Sequence, residues 1–172
     1  MKASKLILFV LALAGVSCGS SPASPPSAVS VAGTWAGTQV LTSVSGGDCF
    51  APTYAFYVGV PFPVFPFVIA QTSDNLAMNF TLVFSSNTCP FAGVATATGF
   101  TLAASNCATF SPSLCEGSRL PRDVSFVSAT FSGTVSGNTA SATQIETWNV
   151  YVSGTQTSVG PLTLTTRRNL TR

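Results

Sequence analysis

The chain of 172 residues contains no histidine, and only 7% of its residues are charged, against about 25% in an ordinary soluble domain. Without histidine the usual general base is missing, and with it most hydrolytic triads and the commonest zinc ligand. The carboxylates Asp48, Asp74, Glu116, Asp123 and Glu146 stand singly along the chain. A paired-carboxylate glycosidase site needs two of them together, and only Asp48 and Glu116, both in connections, are placed to meet. No catalytic residue is assigned, the chain reads as a non-enzyme, and neither a cofactor nor a metal is expected. The net charge of +2 comes from scattered residues, so the concentrated basic footprint of a nucleic-acid binder is absent. No Cys-x-x-Cys spacing occurs, which argues for structural rather than redox cysteines. What the chain does have is 46% hydrophobic residues, too many for a disordered body.

Residues 1–18 have the three parts of a secretory leader. Lys2 and Lys5 form a basic start, and Leu6 to Ala14 an apolar stretch far short of the roughly 20 residues that span a membrane. Gly15-Val16-Ser17-Cys18 follows and resembles the lipobox of bacterial lipoproteins, with small residues before the cysteine and Gly15 where that family usually has Leu. The resemblance implies a lipid on Cys18 as first residue of the mature chain; the alternative is an ordinary signal peptide cut near Ser17 or Ala23. Residues 19–30, GSSPASPPSAVS, read as a flexible tether, because Ser, Pro and Ala at this density cannot bury a core. By the same family analogy, Gly19 rather than Asp after the anchor implies an outer-membrane address in the cell envelope, on either leaflet.

The body, residues 31–172, alternates instead of showing a helical period. Leu76, Met78, Phe80, Leu82 and Phe84 share one face, a strict period of two. Phe100, Leu102 and Ala104 repeat the pattern, as do Val127, Ala129, Phe131, Gly133 and Val135, and again Leu162, Leu164, Thr166, Arg168 and Leu170. Strands are expected near 32–44, 64–71, 75–85, 90–97, 100–106, 123–135, 139–152 and 158–171. Thr72-Ser73-Asp74-Asn75, Thr98-Gly99 and Ser136-Gly137-Asn138 suit tight turns. The expected fold is all-β: an antiparallel up-and-down barrel of about eight strands, which leaves no open edge, or alternatively a β-sandwich.

Setting Cys18 aside leaves Cys49, Cys89, Cys107 and Cys115, an even number in an oxidising compartment. All four fall in or beside the first, third and fifth connections, which lie at one end of a meander. Two disulfides are expected there. Cys89 and Cys107 are equidistant from Thr98, so a regular hairpin pairs them and leaves Cys49 for Cys115. The competing pattern joins Cys107 to Cys115 and Cys49 to Cys89.

Gly33-Thr34-Trp35 opens the first strand and resembles the Gly-x-Trp signature of the calycin superfamily, which includes lipocalins and avidins. In that family the tryptophan packs near an arginine at the end of the last strand, and the resemblance implies a Trp35–Arg168 closure. Glu146, on one face with Trp148, is the natural ion-pair partner for a buried Arg168. The resemblance covers two short ends of the chain and implies a barrel without naming a ligand.

Residues 54–67, YAFYVGVPFPVFPF, interleave three prolines with aromatics and so should not make a regular central strand. Tyr54, Phe56, Tyr57, Phe62, Phe65 and Phe67 form either an apolar flap or partner surface, or a loop packed across the barrel. Arg119-Leu-Pro-Arg122-Asp123 is either an anion site on the rim or a surface cluster paired within itself and with Glu116. Two functional expectations follow. The first is a lipid-anchored, non-enzymatic module that contacts another envelope protein; the second is a carrier of a small apolar ligand. The inward face of Phe80, Leu82 and Phe84 points to a filled interior, and a cavity above about 300 Å³ is what the carrier needs.

Overall fold

The computed structural model describes residues 27–109 and 121–172. Cys18 and most of the tether, along with Cys115, Glu116 and Arg119, lie outside the described residues. Eight strands follow one another: β1 (Gly33–Gly46), β2 (Pro61–Thr72), β3 (Asn75–Phe80), β4 (Cys89–Ala95), β5 (Gly99–Ala104), β6 (Arg122–Ser136), β7 (Thr139–Val152) and β8 (Ser158–Thr171). Each pairs antiparallel with its neighbours in sequence, and β8 returns to β1, so the sheet closes into a ring. One closed sheet, not the two facing sheets of a sandwich, is what the alternating sequence builds.

The alternation works as expected where the strands are regular. Phe100, Leu102, Ala129, Phe131, Leu162, Leu164 and Leu170 all point into the ring and are buried. Burial of such side chains contributes roughly 1.5–3 kcal/mol each relative to exposure, which is what drives a sequence of period two to close on itself. One face shifts. Val127 is exposed because β6 carries a bulge between Phe126 and Ser128, and an extra residue reverses the inward parity on one side of it. Phe126 takes the inward place and packs edge-on against Trp148, ring centroids 5.4 Å apart.

Three tight turns lie at one end of the ring, and three described cysteines lie at the other. Cys89 and Cys107 form a disulfide across the β4–β5 hairpin, so the pattern joining Cys107 to Cys115 and Cys49 to Cys89 is overturned. The equal spacing from Thr98 carried the correct pairing, because a regular antiparallel hairpin puts equidistant residues opposite each other. Cys49 is disulfide-bonded as well.

A short helix, α1 (Phe50–Ala55), follows β1 at the cysteine end. Its six residues carry no helical signal long enough to read, and tertiary packing holds it. Phe50 is buried, and it and Tyr54 meet Phe84 edge-on at 5.2 and 5.8 Å. Phe84 in turn meets Trp148 at 5.4 Å. This aromatic stack plugs one end of the ring. At the opposite end Trp35 is buried and donates its indole N–H to the Val31 carbonyl at 2.8 Å. Ala28 and Val29, counted with the tether in the sequence, pack against this end, where Val29 N–H bonds the Thr96 carbonyl.

Candidate functional site

The ring is incomplete on one side, and the sequence concealed it. The alternation Leu76 to Phe84 predicted one strand through residue 85, yet β3 ends at Phe80. Leu82 and Phe84 stay buried and Val83 exposed, so the inward–outward rhythm outlasts the hydrogen-bonded ladder. The backbone turns instead: Leu82 N–H and C=O both bond the Ser85 hydroxyl, and Ser85 N–H bonds the Leu82 carbonyl.

Across from this break, β2 begins earlier than expected. The prolines were expected to bar a regular central strand and to leave residues 54–67 at the cysteine-bearing end or an edge; Pro61, Pro63 and Pro66 all lie within β2. They are tolerated because β2 pairs with β3 only through Ile69 to Thr72, while it pairs with β1 from Pro61 onward. Over residues 61–68 one side of β2 faces no strand, and a proline there forfeits no ladder bond. Pro66 also sits at a bulge. The step from Trp35 to Gly37 on β1 faces the longer step from Phe67 to Val64 on β2.

The gap between this half of β2 and residues 79–83 opens on a cavity of about 450 Å³. Val64, Phe67, Phe80, Leu82 and Leu164 form apolar walls, and Tyr54 of α1 overhangs it. The expected filling by Phe80, Leu82 and Phe84 is therefore incomplete: Phe84 is drawn into the aromatic plug, and the early end of β3 leaves room below it. Of the six aromatics singled out in residues 54–67, Tyr54, Phe62, Phe65 and Phe67 line the cavity. Phe67 is in the core, whereas Phe65 is 85% exposed at the gap and Phe56 81% exposed at the end of α1.

Two charged side chains face the same cavity, Glu146 on β7 and Arg168 on β8, exposed by only 3% and 4%. They do not form the expected ion pair. Glu146 lies opposite Leu164 and Arg168 opposite Ala142, an offset of four residues, or about 13 Å along the strands at 3.3 Å each. Glu146 instead receives three donors: Gln144 Nε2, Trp148 Nε1 at 3.2 Å and the Val83 backbone N–H at 3.3 Å. Burial raises its pKa above the ordinary carboxylate value, while those donors and the positive charge of Arg168 pull the other way.

Arg168 sits differently. Its guanidinium carbon lies 4.4 Å from the centre of the Phe80 ring and 5.8 Å from that of Phe131. Its Nε and Nη1 are buried without a hydrogen-bond partner. Burial lowers its pKa from the ordinary guanidinium value to about 10, with Glu146 opposing, so it is cationic at neutral pH. The Trp35–Arg168 closure is corrected accordingly. Register places Ala36 opposite Thr171 and Gln39 opposite Arg168, so Arg172 is the residue beside Trp35, 5.1 Å from its ring. The alternating face had identified Arg168 as inward; only the register could show how far inside.

Of the rim group, Arg122 and Asp123 are among the described residues. Arg122 is buried and pairs with Asp48, its Nε 3.1 Å from Oδ2, and Asp48 is thus not a bare loop carboxylate. Asp123 accepts from the Ser153 hydroxyl and the Gly154 N–H. Among the described residues no group of three His, Cys, Asp or Glu is placed to hold a metal. No family model, no curated protein and no solved structure matches the chain.

Proposed function

We propose that this protein is a non-enzymatic binding module of the cell envelope, held to the outer membrane through a lipid on Cys18, and that it carries a small, largely apolar molecule. The closed sheet is then an up-and-down barrel of calycin type, with a second disulfide joining Cys49 to Cys115 at the cysteine end. The observation that carries the reading is the cavity of about 450 Å³ behind the β2 gap. That volume falls within the 300–1,000 Å³ typical of ligand pockets, and its mostly apolar lining with a few polar groups is the usual composition of one. Among the described residues, Asp48 is bound to Arg122 and Asp123 accepts from Ser153.

The test is binding of N-phenyl-1-naphthylamine, a neutral apolar fluorophore, to the purified body from residue 27. Saturable fluorescence enhancement, lost when Val64→Trp fills the cavity, is expected; no saturable binding overturns the carrier reading. The anchor is tested separately. Mass spectrometry of protein from bacterial membranes should show a diacylated or triacylated Cys18, and an unmodified mature terminus refutes lipidation while leaving the carrier reading intact.

A second reading has its own observation. Phe56 and Phe65 are exposed beside Tyr57, Val58 and Val60, and a patch of this kind fits contact with another envelope protein.

A further inference from the structure

We infer that the ligand of this cavity is an amphiphile bearing one acidic head group, a carboxylate, and that Arg168 is its seat. The inference rests on the carrier reading and deepens it. A buried guanidinium normally finds acceptors for its donors from the protein itself. Here Nε and Nη1 have none, although Glu146 lines the same cavity and an arginine is long and flexible. The carboxylate that could have satisfied Arg168 is engaged by Val83, Gln144 and Trp148, and its strand position is four residues away. The folded chain thus keeps its acid and its base apart.

The consequence is a cavity with two unlike ends. At one, the Glu146 carboxyl is already supplied with donors. At the other, the guanidinium carbon lies over Phe80 and near Phe131, with Nε and Nη1 unmet by the protein. A planar fork of N–H donors matches a carboxylate bidentately. Between the ends the walls are Val64, Phe67, Leu82 and Leu164, suited to methylenes.

Size follows from volume. At about 30 Å³ per non-hydrogen atom, similar to a water's share of liquid, the cavity of about 450 Å³ holds roughly 15 such atoms. That corresponds to a medium-chain carboxylate such as decanoate or dodecanoate, and a longer chain would protrude through the gap past Phe65.

The experiment displaces N-phenyl-1-naphthylamine from the body with decanoate, with decanol and with decyltrimethylammonium. Wild type is expected to prefer decanoate over decanol by at least about 10-fold and to take the cation most weakly. Arg168→Met should bring the decanoate-to-decanol ratio to within about 2-fold, and Arg168→Lys should leave an intermediate preference. Arg167→Gln, on the outer face of β8, should change nothing, which separates a seat from a general charge effect. Fluorophore binding with no decanoate preference in wild type, or a preference that survives Arg168→Met, overturns the seat and leaves the carrier reading standing. No fluorophore binding at all removes the carrier reading itself.

Discussion

Replacing Arg168 by methionine should make the ligand-free protein more stable. The side chain is 4% exposed, two of its donors are unmet, and its pKa falls from the ordinary guanidinium value to about 10 because burial penalises the charged form. At 1.36 kcal/mol per pKa unit, that fall corresponds to roughly 3 kcal/mol of cost in holding the charge inside. The sign is the important part. A group whose folded pKa is depressed weakens the fold wherever it is protonated in both states, here everywhere below pH 10. The cost is relieved only as pH rises through about 10 toward the ordinary guanidinium value. Methionine removes the charge and keeps the length, but it gives up the stacking on Phe80, worth roughly 0.5–2 kcal/mol. The net expectation is a gain of about 1–2 kcal/mol, in line with buried ion sites that are stabilised by apolar replacement. Urea unfolding with disulfides intact measures it directly, as a higher midpoint at unchanged slope. Loss of more than about 0.5 kcal/mol would refute the reasoning, because it would mean that the guanidinium is satisfied by the protein as it stands.

Further outcomes are expected elsewhere. Glu146 has a raised pKa, so its contribution to stability is fully present below about pH 4.5 and is lost as pH rises through the folded value. Thermal melts from pH 5 to 8 should show Glu146→Gln with a flatter pH dependence than wild type, and parallel curves would contradict the assignment. Opening the Cys89–Cys107 bridge with a double serine variant frees a loop spanning a sequence separation of 18, which should cost roughly 3 kcal/mol by loop-closure entropy, read from denaturation of the two proteins under identical conditions. Gly93→Ala should cost more than about 2 kcal/mol or abolish folding, since a β-carbon there would sit 1.9 Å from the Thr101 carbonyl oxygen, an overlap no local adjustment absorbs. The readout is soluble yield together with the unfolding midpoint.

Much of the architecture was legible because a strand's period is two and the core enforces it. The eight strands, the three tight turns and the inward placement of Trp148, Glu146 and Arg168 could all be read from alternation. So could the Cys89–Cys107 pairing, from its symmetry about Thr98. The departures have a common physical origin: alternation reports which way a side chain points, not whether its backbone is paired. Leu82 and Phe84 continue the rhythm of β3 after its ladder has ended, and that early end is what opens the cavity. The bulge at Val127 and the one near Pro66 shift parity without any residue type announcing it. Arg168 and Arg172 share a face by parity, so only the β1–β8 register could assign Trp35 its partner. The prolines of residues 61–66 argued against a regular central strand, and they lie on a strand with one unpaired side; only the start of that strand, at Pro61 rather than 64, was missed.

That unpaired side has a consequence for how the molecule keeps to itself. An open strand edge invites a strand from another copy to complete it, and such additions lead to swapped or aggregated chains. Over Pro61 to Pro66, β2 is an edge of this kind inside an otherwise closed ring. Pro61, Pro63 and Pro66 have no N–H, so this stretch offers a visiting strand fewer donors than a regular edge would. The same prolines that fit an unpaired stretch of strand also blunt it against pairing with another copy.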